Sequence, residues 1–230
     1  MHAPRTFSGM REAAIGLGVY GGYLLVRRLK LQTGARARAA RNAERVVALE
    51  ERLGVSFEPA LQRALLPRRR LVVLLNVAYV TLNVGLTVGW LGHLFRRRDA
   101  DFHRLRRAAV LATLGAQPVF LFFPVAPPRT LEGFVDTIAD VSGLDLESGL
   151  VAELYDPIAA MPSIHLAYAV VTAAGIASTA RSRWIRAAVP AYPPAVALVV
   201  LATGNHYVLD AVAGSLVGAL AVRAAAGATR

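Results

Sequence analysis

Long apolar runs, each closed by a cluster of arginines, constrain this chain more than any other feature. Residues 71–95 are interrupted only by Asn76, Asn83 and His93. Residues 108–128 are uncharged throughout, and further apolar runs follow at 164–180, 187–202 and 206 to about 226. A helix crosses a bilayer with about 20 mainly apolar residues. Charges confined to the breaks between such runs mark a polytopic helical membrane protein. The earliest run, 13–26, falls short of that length. It reads either as a span stretched by snorkelling of Arg11, Arg27 and Arg28, with Gly18 and Gly22 as a small-xxx-small pair, or as an interfacial helix. The expected fold is all-α, a polytopic membrane bundle of about six transmembrane helices, five if the first lies flat.

Of the 230 residues, 55% are hydrophobic and only 18% are charged, where a soluble domain has about a quarter. The net charge of +11 rests on arginine, because Lys30 is the only lysine. In a soluble chain that excess points to nucleic acid. Beside membrane spans it reports orientation and contact with anionic lipid head groups, so no nucleic-acid partner is expected. Cysteine is absent, which removes disulfides, thiolate metal sites and thiol nucleophiles. No cleavable signal peptide is expected, since Glu12 interrupts the start and no small-residue cleavage site follows a clear apolar core. Residues 27–70 hold twelve Lys or Arg and four Glu, with Val46, Val47, Leu49 and Leu53 at helical spacing. They read as a basic amphipathic helix on the membrane surface or as a solvated connecting helix. The chain thus divides into residues 1–70, an N-terminal helix with a basic surface segment, and 71–230, a transmembrane core.

If each run crosses once, the connections 27–70, 127–162 and 203–205 share one face of the membrane. The turns 96–107 and 181–186 share the other, and they carry nine arginines. The positive-inside rule does not by itself settle which face is which; the short turns are expected in the cytoplasm, with the opposite face outside it, if segment 27–70 is held to the surface as a helix. The twelve cations of 27–70 oppose that orientation unless the segment is held to the surface as a helix. Three polar groups then meet on the outer face: Arg129 after a proline-rich span end, Pro162-Ser163-Ile164-His165, and His206 with Asp210. Singly each has an ordinary reading: an interfacial anchor, a helix N-cap at Ser163, a structural histidine, a satisfied hydrogen bond.

Together they say more. His206 and Asp210 stand at i and i+4, about 6 Å apart along a helix axis, so their side chains can meet. A carboxylate one turn inside a span is costly unless paired. A histidine that gives one ring N–H to a carboxylate keeps the other nitrogen free and more basic, as a nucleophile or general base requires. His165 can serve as general acid, and an arginine with helix N-terminal amides can bind a phosphate. These are the parts of phosphoryl transfer through a histidine, with neither metal nor nucleotide cofactor.

Pro162-Ser163-Ile164-His165, followed about forty residues later by His206-x-x-x-Asp210, resembles the type 2 phosphatidic acid phosphatase superfamily of membrane lipid phosphatases and phosphotransferases. That family's pattern is a Lys/Arg-Pro motif, then Pro-Ser-Gly-His, then Ser-Arg-x5-His-x3-Asp. The resemblance covers roughly residues 105–222. It implies a six-helix membrane fold with a phosphohistidine on His206, Asp210 orienting that ring and His165 protonating the leaving alkoxide. It further implies Arg129 and Ser163 on the phosphoryl oxygens, and no metal. Four positions depart from the pattern: Ile164 replaces the glycine, Phe122 falls where the first-motif lysine would be, and Val199 and Val200 replace Ser-Arg. With "MPSIHLAYA" and "TGNHYVLDAVAG", these losses resemble the branch that contains inositol phosphorylceramide synthase. That branch moves phosphoinositol or a similar head group from one lipid to another acceptor.

The resemblance implies a phospholipid or polyprenyl-phosphate substrate. Transfer and hydrolysis then differ only in whether an alcohol or water reaches the phosphohistidine. The missing cations call for a replacement ligand from segment 27–70 or imply weak activity. The acids Glu132, Asp136, Asp140, Asp145, Glu147, Glu153 and Asp156 either hold a polyol acceptor or are solvated loop charges. Asp136 and Asp140 read as a helical salt-bridge face rather than a metal pair. The alternative of another class is a non-catalytic transporter or lipid-binding scaffold with the His–Asp pair as a proton site.

Overall fold

The computed structural model describes residues 7–32, 34–146, 148–149 and 155–227, so Glu147 and Glu153 lie outside the described residues. Ten helices carry the described chain: α1 (Gly9–Gln32), α2 (Ala35–Leu53), α3 (Glu58–Leu65), α4 (Arg69–Val77), α5 (Asn83–Arg96), α6 (Phe102–Phe122), α7 (Ile164–Thr179), α8 (Arg183–Ala188), α9 (Tyr192–Ala202) and α10 (Val208–Gly227). Among the described residues, strand-like pairing is confined to one parallel bridge, Val125 with Ala159. The all-α expectation holds.

The spans differ from the apolar runs in instructive ways. Two elements are long and apolar enough to cross a membrane: Arg183–Ala202, which joins α8 to α9, and Val208–Gly227. A third exists if Arg69–Thr81 and Val84–Arg96 count as one span bent by 46°. The run at 71–95 is therefore not one straight helix. A wider π turn at Ala78–Leu82 breaks it, the usual place for a kink. Asn76 is no mere interruption either. It is fully buried, its amide donates to the Thr137 carbonyl and Ser142 Oγ, and its oxygen accepts from Thr137 Oγ1. Six spans are not shown by length and composition. Helix α1 contains Glu12 and ends in Arg27, Arg28 and Lys30; α6 starts inside the basic connector with Arg104, Arg106 and Arg107; and α7 is apolar but only 16 residues long.

Helices α7 and α10 form the centre of the bundle, with α6 against both. The spacing of Gly214 and Gly218 on α10 lets the backbones meet. A Cβ at Gly214 would stand 2.1 Å from the Ser163 carbonyl oxygen, and one at Gly218 would stand 2.6 Å from that of Ala167. Across this seam the Ser163 N–H donates to the Asp210 carbonyl at 3.0 Å.

Helix α2 is amphipathic, but its inward face is not the one its valines and leucines suggest. Ala35, Ala39, Asn42, Ala43, Val46 and Glu50 are buried along one face, whereas Leu49 and Leu53 point outward. The small side chains let α2 lie close on the loops beneath it. Ala39 accepts a hydrogen bond from the Ala126 N–H, and Asn42 donates to the Pro124 carbonyl. Segment 27–70 is thus a lid on one end of the bundle, built into the same cluster as Val125, Ile158, Ala160 and Tyr207.

Candidate active site

The stretches 123–130, 155–165 and 203–210 meet at that end. Residue 125 pairs with 158–160 through Val125 N–H to the Ile158 carbonyl and Ala160 N–H to the Val125 carbonyl. The Ala160 carbonyl in turn faces His206. The Arg129 N–H donates to the Gly204 carbonyl at 2.8 Å, and Gly204 holds φ +68°, with its α-carbon against Gln62 and Arg129. A side chain there would be both strained and blocked.

His206 lies two residues ahead of α10 rather than on it. Its Nδ1 is 2.9 Å from the Ala160 carbonyl oxygen and 3.4 Å from Asp210 Oδ2. An Nδ1–H donated to Ala160, with the carboxylate beside it, leaves Nε2 as the unprotonated nitrogen. That Nε2 faces His165 Nδ1 at 3.4 Å, the rings edge-on with centroids 5.5 Å apart. Tyr79 covers the far side of His165, centroids 4.6 Å apart, and its backbone bonds the imidazole. Asp210 is completely buried; Oδ2 accepts the Tyr207 N–H at 2.9 Å while Oδ1 has no hydrogen-bond partner. The carboxylate thus reaches back over the start of its own helix, as an acidic N3 residue does.

His206 stands 3.4 Å from both Asp210 and His165, whereas Ser163 joins the group only through its backbone N–H to the Asp210 carbonyl. Ser163 is the N-cap of α7, its Oγ accepting from the Leu166 N–H. Arg129 stands one layer back. Its guanidinium donates to Asp136 at 3.0 Å, to Tyr155 Oη at 3.1 Å and to the Asn205 side-chain oxygen. A pocket of about 120 Å³ opens beside the two histidines, walled by Tyr23, Tyr79, Tyr155, Asp156, Asn205 and Ile164 among others; neither Arg129 nor Ser163 lines it.

Several residues here escaped the sequence reading. Lys30, wholly buried at the end of α1, pairs with Asp156 at 2.7 Å, and the Arg27 Nε donates to the Tyr155 carbonyl. With Arg129, three cations therefore stand directly behind the pocket wall. A lone lysine in an arginine-rich chain, closing an apolar run, was the available signal. The amides of α10 are also spoken for. Glu58 accepts the Val208 N–H at 2.7 Å and Glu50 the Leu209 N–H at 2.6 Å, so carboxylates from α2 and α3 occupy the positive end of this helix. Burial, and after it the neighbouring Glu58, holds the Glu50 carboxyl well above the usual carboxylate range, against the pull of Leu209. No signal of spacing could link residues so far apart.

A family model described as "PAP2 superfamily" matches residues 44–224. No curated protein and no solved structure matches the chain.

Proposed function

The chain belongs to the PAP2 superfamily, and on that premise we propose that it is an integral-membrane lipid-phosphate phosphotransferase or phosphatase working through a phosphohistidine. Members of the superfamily are generally phosphatases, and they act on phosphorylated lipids. The observation that carries the proposal is the His206 ring: Nδ1 held by Ala160 and Asp210, Nε2 directed at His165 inside a pocket.

The two histidine rings, whose nitrogens face each other at 3.4 Å, part to admit the phosphoryl group from the pocket beside them. His206 Nε2 attacks phosphorus, the ester P–O bond breaks, and His165 gives its proton to the departing alkoxide. The phosphorylated imidazole is cationic, and buried Asp210 stabilises that charge at Nδ1–H. Water or an acceptor hydroxyl then attacks phosphorus, His165 takes its proton, and the N–P bond breaks to restore His206. No step calls for a metal or cofactor. Arg129 serves by holding Asn205 and Tyr155 at the pocket wall, and Ser163 by fixing the distance between α7 and α10. The Lys30–Asp156 and Arg129–Asp136 ion pairs stiffen the wall behind the head group. The bundle crosses six times, through α1, the α4–α5 pair, α6, α7, the α8–α9 pair and α10, with the site on the extracytoplasmic face. Transfer of a phospho-head group such as phosphoinositol, as in the inositol phosphorylceramide synthase branch, fits the loss of the family glycine at Ile164.

The test is the phosphoenzyme. Purified protein given radiolabelled lipid phosphates in detergent should form an acid-labile, base-stable phosphoprotein, and His206→Ala should abolish both it and head-group release. Release at an undiminished rate from His206→Ala would sink this mechanism.

A further inference from the structure

Three residues stand between His206 and Asp210: Tyr207, Val208 and Leu209. Each of their backbone N–H groups is taken by a carboxyl. Asp210 accepts from Tyr207 at 2.9 Å, Glu58 from Val208 at 2.7 Å and Glu50 from Leu209 at 2.6 Å. The first acceptor belongs to the same turn. The other two reach in from α3 and α2, 150 and 159 positions away. Glu50 and Glu58 are each 1% exposed, and the Glu50 carboxyl also bonds that of Glu58. Two carboxyls bond each other only through a proton, so the pair carries one negative charge between them.

Capping α10 does not by itself call for this arrangement. A serine, threonine or asparagine just ahead of a helix satisfies such amides from within the turn, whereas a carboxyl is costly to withdraw from water. Two long acidic side chains sent from the lid are the costlier solution, and they grip the stretch of backbone that sets the His206–Asp210 distance. Holding Val208 and Leu209 holds the turn over which Asp210 Oδ2 comes to lie 3.4 Å from His206 Nδ1. Neither glutamate lines the pocket beside the histidines.

Resting on the phosphotransfer reading above, we propose that Glu50 and Glu58 are positioning residues for His206. They act through the backbone of α10 and align the His206 ring with Asp210 before the phosphoryl group arrives. The lid thereby becomes part of the catalytic apparatus. Because neither side chain reaches the pocket, loss of either acceptor lowers kcat and leaves KM nearly unchanged.

Glu50→Ala and Glu58→Ala each remove one acceptor, Glu50→Gln and Glu58→Gln keep it, and Asn42→Ala loosens α2 at the Pro124 carbonyl without touching α10. Two readouts are taken on the folded fraction of the full-length protein in detergent. One is the kinetics of head-group release from a lipid phosphate. The other is the His206 Nδ1–H resonance in protein carrying isotope-labelled histidine, assigned by its loss in His206→Ala. Each alanine variant should show kcat lower by about 10²-fold at nearly unchanged KM, and should lose the resonance to exchange with water. The glutamine variants should recover both. Where an alanine variant does not fold, Glu58→Asp draws the carboxylate back by one C–C bond, about 1.5 Å, and should show the same two losses. An alanine variant that keeps the resonance or the wild-type kcat overturns the proposal, as does equal slowing by Asn42→Ala. Undiminished release from His206→Ala removes the phosphohistidine reading, and the resonance then judges the positioning by itself.

Discussion

Helices α7 and α10 touch backbone to backbone, while α1, α5, α6 and α7 leave a cavity of about 650 Å³ between them. Glycine serves both arrangements by opposite means. At Gly214 and Gly218 the missing side chain admits a neighbouring carbonyl, whereas at Gly16 and Gly92 it leaves open space. The close seam carries the two histidines and the aspartate, where the proposed mechanism would be sensitive to a shift of a fraction of an ångström. The open side carries no reacting group. Tight packing therefore marks where backbone geometry is held, and loose packing where the bundle leaves room.

The comparison breaks most sharply at the seam. Gly214→Ala drives a Cβ into the Ser163 carbonyl, so it should destabilise the protein by about 3 kcal/mol or more and abolish phosphoenzyme formation. Thermal unfolding in detergent measures the first effect and radiolabel incorporation the second. A step smaller, His165→Ala should slow turnover of an alkyl phosphate by about 10²- to 10⁴-fold. An aryl phosphate, whose leaving group needs no proton, should lose far less; equal losses on the two substrates would remove His165 as the acid.

Smaller again is the effect of Glu50, which joins the lid to the seam. Its carboxyl is pushed up to about 8, chiefly by burial, so the folded protein holds a proton that the unfolded chain releases near the ordinary carboxylate value. Stability should then be greatest at acid pH and decline as pH rises towards 8. Glu50→Gln keeps an acceptor for the Leu209 N–H and should flatten that decline, read from unfolding midpoints across the window. The smallest effect belongs to the open side. Gly16→Ala adds a methyl to empty space in a helix and should stabilise by about 0.5–1 kcal/mol, the reverse of the same change at Gly214. Destabilisation at Gly16 would mean that α1 is packed as tightly as α10.

What the sequence could reveal followed the range of its signals. His206 and Asp210 are four residues apart and Pro162-Ser163-Ile164-His165 is contiguous, so helical geometry alone joined each set. Gly214 and Gly218, also four apart, carry the same kind of local signal. The bonds of Glu50 and Glu58 to Leu209 and Val208, and of Lys30 to Asp156, link residues more than a hundred positions apart. A glutamate in a basic helix looks solvated whether or not it caps another helix, and only the folded chain distinguishes the two. Arg129 was found but its partners were not. Asp136, Tyr155 and Asn205 occupy the guanidinium, so a cation that spacing places near a phosphate becomes the brace of the wall around it. The kink at Ala78–Leu82 was invisible because an apolar run reads the same straight or bent.

The burial of Lys30 has a practical consequence. It is the only side-chain amine in the protein, and in the folded state it has no exposed surface. Amine-directed reagents will leave that side chain untouched until α1 withdraws from the loop at Asp156. The fraction of Lys30 modified, read as one mass shift on one peptide, counts the molecules in which the N-terminal helix has come loose.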